Sequence, residues 1–298
     1  MLVAVFCKQK TESTAVRKIK GERRVREILD RAFSELNIEY YSVLDYSNCI
    51  ESAEHIRRRA GFTPRSAVIY LLPYYTGECV NLSRYAASLD YHIAIREVGE
   101  KVISVLSQRF PEASFSSFGD HSPIDERHAA LISGLGIAGD NGLLINEKYG
   151  SYVFVGDILT DLPPELLCAE PPEAIVRCEG CGACKLACPT GILRGEGEDC
   201  LSAITQRKGQ LTESEMQLMR QYNTAWGCDE CQSSCPHNLS PRKTPIEFFY
   251  KDRIDALTPD LLAAMDKEAL RRRAFGWRGR AALERNLAVL SDAQDCEL

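Results

Sequence analysis

The sequence predicts an α/β (α+β) amino-terminal domain over residues 1–165, a small cysteine-bound domain over 170–240 and a short helical tail over 241–298. Three observations carry this division. Helix-period and strand-like apolar segments alternate through the first half of the chain; Pro163, Pro164, Pro171 and Pro172 then mark a boundary; and eight cysteines crowd between Cys178 and Cys235. A chain of 298 residues is long enough for two domains, and no apolar run reaches transmembrane length.

In chain order, Val25, Ile28, Leu29, Ala32, Phe33 and Leu36 recur at helical spacing among charged residues, which predicts an amphipathic helix. IEYYSVL and SAVIYLLPYY follow, rich in β-branched and aromatic residues, and read as strands. From Ser83 to about Phe110, Ile95, Val98, Val102 and Leu106 return to helical spacing and predict a second long helix. ASFSSF reads as a short strand ending at Gly119-Asp120-His121, after which Ser122-Pro123 is expected to be an N-cap and first helical residue. NGLLINEKYGSYVFVGDILTD reads as two strands around a Lys-Tyr-Gly turn, and Thr212 with Glu215 forms a capping box in a helical insertion between Cys200 and Cys228. The segment ALRRRAFGWRGRAALERN holds six arginines against one glutamate in the tail.

The cysteines determine the chemistry. CEGCGACKLACP places Cys178, Cys181, Cys184 and Cys188 in a C-x2-C-x2-C-x3-C-P run, the bacterial iron-sulfur spacing, and CDECQSSCP adds Cys228, Cys231 and Cys235. In a two-cluster ferredoxin-like domain the last cysteine of each run crosses to the other cluster, because a compact run lets three thiolates converge on one cubane. One ligand is then missing, and Cys200, the cysteine between the groups, is the candidate. Cys178, Cys181, Cys184 and Cys235 are therefore assigned to one 4Fe-4S cluster, and Cys188, Cys200, Cys228 and Cys231 to the other.

Two other uses of these cysteines compete. Disulfides need an oxidising compartment, and MLVAVFCKQK has too short an apolar run for a secretory segment. Zinc takes paired C-x2-C units, but a third cysteine two residues on and a Cys-Pro after it fit clusters better. Cys7, Cys49, Cys79, Cys168 and Cys296 show no mutual spacing and are expected to be structural. A soluble cytoplasmic protein with no membrane association is expected, and a formal charge of -6 argues against a generic nucleic-acid binder, so any RNA site must be local.

A ferredoxin-like domain alone moves electrons, so the larger amino-terminal domain must hold the acceptor. No GxGxxG follows a strand, and the D-x-H-x-x-G signature of some cobalamin proteins is absent. NLSRYAASLDYHIAI, GDHSPIDERHAALISGLGIAGDNGLLI, YGSYVFVGDILTDLP, the eight cysteines and GWRGRAALERN, together spanning about Arg59 to Asn286, resemble the epoxyqueuosine reductase family of tRNA queuosine synthesis. The resemblance implies a cobalamin-binding domain of the kind found in reductive dehalogenases. Electrons from an external low-potential donor such as a flavodoxin or ferredoxin would pass through the clusters to cobalamin, and the epoxide of a modified guanosine in the tRNA anticodon loop would become an alkene.

Opening an epoxide leaves charge on oxygen, so a proton donor is needed. By the resemblance, Asp120 stands where the family carries its acid, with His121 beside it where Thr is more usual. Burial is expected to raise the pKa of the acid. Ser83, Tyr85, Asn141 and Leu144 lie near the corrin ring or its tail by the same resemblance, and Arg127 faces the tRNA. Taken alone, Asp120 and Asn141 read as turn residues, Tyr85 as a core aromatic, and Arg127 as a surface residue paired with Asp125 or Glu126. Arg271, Arg272, Arg273, Arg278, Arg280 and Arg285 are candidates for phosphate contacts, and Tyr74 or Tyr75 for stacking on an extruded base.

The chain resembles a short form of the family, without the C-terminal helical-repeat region that helps longer members grip tRNA. Asp140 stands in GDN where relatives carry GKN, a charge reversal beside the expected cofactor pocket. It favours a second reading, a corrinoid iron-sulfur reductase of a small molecule. A third is a non-catalytic, ferredoxin-type electron carrier.

Overall fold

The computed structural model describes residues 25–291. Its contacts group into two units, each drawn from three stretches of chain: the residues up to Leu71 with Ile95–Leu135 and Val155–Ala174, and Leu72–Ala94 with Gly136–Phe154 and the chain from Ile175 onward. Cys7, Cys296 and the MLVAVF run lie outside the described residues.

A four-stranded sheet of order β1-β2-β6-β3 organises the first unit, formed by β1 (Tyr41–Asp45), β2 (Ser66–Pro73), β6 (Val153–Thr160) and β3 (Phe115–Phe118). β1 runs antiparallel to β2 with Tyr41 opposite Tyr70, and β3 antiparallel to β6 with Phe118 opposite Asp157. All eight residues of β2 are buried, which explains why its sequence is an unbroken apolar run rather than an alternation. Burying each of Val68, Ile69 and Leu71 stabilises the unit by about 1.5–3 kcal/mol. Helix α1, over residues 25–35, lays Val25, Leu29 and Phe33 on the sheet, where the Phe33 ring stacks 4.5 Å from that of Tyr41.

Further along, α2 (Glu54–Arg57) is one turn, and α3 (Tyr91–Arg109) buries Ile95, Val98, Val102 and Leu106 as the spacing predicts. It starts at Tyr91 rather than Ser83. Residues 83–90 are drawn out instead by backbone bonds to distant segments, Ser83 N–H to Trp226 O (2.8 Å) and Asp90 N–H to Arg272 O (2.8 Å). The Asp90 carboxylate then accepts from His92 N–H and opens the helix.

The predicted cap at Ser122-Pro123 is also displaced. α4 (Glu126–Ile132) is capped by Asp125, whose carboxylate accepts from His128 N–H. Ser122 instead accepts from Ile124 N–H, two residues on, in a local turn that competes with the helix start. The Lys-Tyr-Gly turn forms, closed by paired bonds between Asn146 and Gly150, but its flanking strands do not pair with each other. β5 (Leu144–Ile145) pairs with β4 (Ile137–Ala138), while β6 enters the larger sheet.

The second unit holds the eight cysteines, Cys184 on α5 (Ala183–Ala187), Cys231 on α8 (Glu230–Ser233) and the others in the loops and caps around them; α6 (Leu201–Gln206) and α7 (Glu213–Gln221) lie between, with the tail as α9 (Pro259–Ala264), α10 (Lys267–Arg271) and α11 (Arg280–Ser291). The capping box at Thr212 and Glu215 is formed in both directions. Trp226, fully buried, is the centre of one core with Leu82, Leu262, Phe275, Leu283 and Leu287; α6, α7 and Val289 of α11 form another. The wholly buried Asn286 ties the tail to the cysteine region by donating to Thr205 O and Ala225 O, both at 2.8 Å.

Candidate functional site

The second unit gathers the eight cysteines into two sets of four. Cys178, Cys181, Cys184 and Cys235 ring a cavity of about 240 Å³. Gly180 and Gly182 adopt φ of 67° and 79°, the left-handed turns that fold CEGCGAC tightly enough to bring its thiols to one side. Among the described residues no three Cys, His, Asp or Glu side chains converge for a lone metal ion. A cavity ringed by four thiols fits the larger iron-sulfur core, with the run and its distant partner Cys235 meeting as the spacing predicts.

In the other set, Cys231 feels the charges of Cys200 and Cys188, and Cys228 those of Cys200 and Cys231. Burial, then these neighbours, pushes the Cys228 and Cys231 thiols up to about 12. Metal binding must therefore displace protons from them. Cys188 is different: burial would raise it, but bonds from the Leu193 backbone, the Thr190 hydroxyl and backbone and Gly191 N–H together hold it below the ordinary thiol value. The crossover follows from two short helices packed together. α5 carries Cys184 and is capped by Cys188; α8 carries Cys231 and leads into Cys235.

Polar side chains absent from the sequence prediction hold these helices. Gln232, buried on α8, donates to Ser151 O and Oγ (both 3.0 Å) and to the Tyr74 hydroxyl (3.3 Å). Asn238 accepts from Ser151 N–H (2.9 Å) and donates to Ser151 Oγ and Gln232 O (both 2.8 Å). Asp229, between two cysteines, accepts from Ser83 Oγ, from Arg84 N–H (2.7 Å) and from the Arg84 guanidinium (3.1 Å). Burial raises its pKa and these bonds oppose the rise. Asp140 is salt-bridged to Lys185 on α5 at 2.8 Å, which holds its carboxyl below the usual range. The charge reversal at GDN is thus answered from within the cysteine region.

Of the residues expected near a corrinoid, Ser83 is engaged by Asp229, and the Tyr85 hydroxyl accepts from Trp226 Nε1 at 2.9 Å. Leu144 is buried on β5. Asn141 is a turn residue as its type suggests, with Oδ1 accepting from Leu143 N–H. Its Nδ2, however, is buried without a hydrogen bond among the described residues and faces the Cys231 sulfur closely enough to oppose the rise of that thiol's pKa. Tyr74 and Tyr75 are 6% and 9% exposed and packed against Tyr152, so stacking on an extruded base is not open to them. Three of the six tail arginines are internal donors, as a short helical tail must be pinned to its neighbours: Arg273 is buried and bonds Ala87 O, Arg280 bonds Leu262 O and Met265 O, and Arg285 bonds Arg207 O and Gly209 O.

The first unit carries Asp120, exposed on a loop where it and His121 both adopt left-handed φ, 54° and 51°. The loop is held by Arg59, which donates to His121 O (2.6 Å), and by Ser52, which donates to Ser122 O (2.8 Å). Arg127 is exposed on α4. The burial expected for an acid falls on two other carboxyls. Glu126 is pushed up to about 9, by burial first and then by Asp157 and Asp120, while its bond from Asp120 N–H opposes the rise. Asp157, fully buried on β6, is pushed up to about 7 by burial, with Ser122 opposing. The sequence held one signal for this pair, an aspartate inside the apolar strand VFVGDILT.

A model of the 4Fe-4S double cluster binding domain matches residues 177–238. The epoxyqueuosine reductase of Listeria monocytogenes is 31% identical over 222 residues, covering 70% of this chain and 56% of that protein. That of Pseudomonas aeruginosa is 34% identical over 224 residues, covering 72% and 61%. The chain thus spans 44% to 61% of the length of curated relatives it matches. Among solved structures, epoxyqueuosine reductase from Streptococcus thermophilus superposes with a TM-score of 0.70 at 21% identity, over 89% of this chain and 80% of that one. An epoxyqueuosine reductase solved with an epoxyqueuosine-modified tRNA-Tyr stem loop matches over the same shares with a TM-score of 0.71 at 22% identity, and both share this fold. The chain carries a 4Fe-4S double cluster binding domain and is similar, over about 70% of its length, to epoxyqueuosine reductases.

Proposed function

We propose that this chain is an oxidoreductase that reduces epoxyqueuosine in the tRNA anticodon loop to queuosine, using two 4Fe-4S clusters, cobalamin and an external low-potential electron donor such as a flavodoxin or ferredoxin. The observation that carries the reading is the pair of four-thiol sets in a chain whose relatives are named for that reaction. When bound, the clusters supply one-electron transfer and the corrinoid a strongly reducing cobalt centre.

Cys178, Cys181, Cys184 and Cys235 hold one cluster, and Cys188, Cys200, Cys228 and Cys231 the other. Asn141, whose Nδ2 is buried beside the Cys231 sulfur, is the corrinoid contact that the family resemblance implies. Leu144 lines the same segment, while Ser83 and Tyr85 serve by holding Asp229 and Trp226 in place. Asp120 presents its carboxyl to the substrate oxygen and delivers a proton as the C–O bond opens. Arg127, exposed one turn further on, is the contact for the RNA backbone. The small-molecule reading drew on the acidic net charge and on Asp140, and the Lys185 partner answers the second of these. The protein is expected to work in the cytoplasm; no described helix is long and apolar enough to cross a membrane.

The test is anaerobic reconstitution with iron, sulfide and cobalamin, then reductant and an epoxyqueuosine-containing anticodon stem-loop, with nucleosides read by mass spectrometry. Queuosine is the expected product. Cobalamin retained without queuosine would overturn the tRNA substrate, and no retained cobalamin would overturn the corrinoid reading altogether. Asp120→Asn should keep bound cobalamin and lose turnover by about 100-fold or more, the usual worth of a general acid.

A further inference from the structure

Removing an epoxide oxygen consumes more protons than one carboxyl carries. Two C–O bonds break, a C=C π bond forms, and the oxygen leaves as water, so each turnover takes two electrons from the external donor and two protons. Asp120 carries one proton, and it must be reloaded before the second C–O bond can release water.

We propose that Glu126 and Asp157 form the proton store that reloads Asp120, a role that rests on the epoxide-reducing reading above. Glu126 accepts the Asp120 backbone N–H, so the two residues are in bonded contact. Its Oε1 is buried with no hydrogen-bond partner among the described residues, and Asp157 is wholly buried with the Ser122 hydroxyl beside it. Carboxyls withdrawn from water this way, with few donors to hold a charge, favour the protonated form. The groups facing Glu126 are Asp157 from β6, Asp120 from the loop, Asp125 from its own N-cap and Tyr70 from β2; Asp157 in turn faces Cys49. No cation is among these partners; the Asp120 N–H and the Ser122 hydroxyl favour ionisation, and burial outweighs both. Ionisation of Glu126 near pH 9 and of Asp157 near 7 brackets the range over which protons can leave the store.

Infrared difference spectroscopy of the protein without substrate reads the store directly. Protonated-carboxyl bands should bleach as pH rises through about 7 for Asp157 and about 9 for Glu126; the second should be lost in Glu126→Gln, and both should persist in Asp120→Asn. Glutamine keeps an acceptor for Asp120 N–H, so the loop should stay folded. In reconstituted protein, Glu126→Gln should lower kcat by about tenfold or more with KM unchanged and move the alkaline fall of kcat to lower pH. Absence of the bands in the parent protein overturns the store whether or not turnover is seen. A parent that turns over while Glu126→Gln keeps its kcat and pH profile overturns it too. If the bands are present but the parent makes no queuosine, it is the epoxide reading that fails, and the store's role in reloading Asp120 falls with it.

Discussion

Cys188 shows how one residue can differ from neighbours of the same type. It caps α5, and the backbone groups that follow point back at its sulfur, so its thiol is held down while burial pushes Cys184, Cys228, Cys231 and Cys235 up. Glu126 makes the opposite case, an acid kept neutral by burial beside other carboxyls. Its pKa is raised from 4.5 to about 9, so the folded state holds a proton that the unfolded state releases between those values. Stability therefore falls as pH rises through that window and is unaffected by this group below 4.5. Glu126→Gln should be more stable than the parent at mildly alkaline pH, by an amount on the order of a few kcal/mol, and the gap should close as pH drops through about 4.5. Melting temperature against pH for the two proteins checks this; a variant less stable than the parent at alkaline pH would show that Glu126 is ionised in the folded state. The glutamate could not be found in the sequence, where it is one of several charged residues opening a helix. Only the fold brings Asp157 and the Asp120 loop to it and withdraws it in part from water.

At the scale of elements, the pairing of α5 with α8 decides which thiols share a cluster. Each helix contributes one cysteine to its own set and hands the next to the other, which is why a C-x3-C-P ending recurs in both runs. Cys184→Ala should leave about four irons of about eight and preserve the spectrum of the other cluster, and Cys228→Ala should do the converse; iron analysis with electron paramagnetic resonance reads both. Loss of the same cluster in both variants would refute the assignment. The spacing was legible here because cluster ligation is local to short turns. Helix starts were less so. Residues 83–90 and Ser122-Pro123 have helix-compatible sequence, yet strand-like bonds to Trp226 and Arg272 and a local serine turn outweigh local propensity.

For the molecule as a whole, a formal charge of -6 leaves RNA affinity to a few local cations. The tail holds six arginines, but Arg273, Arg280 and Arg285 donate to backbone carbonyls, and the guanidinium of Arg278 lies 3.9 Å over the Trp277 ring. Arg271 and Arg272 are exposed. In stem-loop binding, Arg271→Ala and Arg272→Ala should each lower the salt slope by about one, whereas Arg280→Ala should lower melting temperature and leave the slope alone. An unchanged slope in the first two would exclude the tail from the interface. The sequence by itself determined the double-cluster cysteine region, the amphipathic and fully buried segments and the family resemblance, because these rest on spacing and periodicity along one chain. The tertiary structure decided the rest: that Tyr74 and Tyr75 are interior, that Asp140 meets Lys185, and that Glu126 and Asp157 are buried beside Asp120's loop. Each of these depends on which distant segments exclude water from a side chain, and burial of that kind has no period in the sequence.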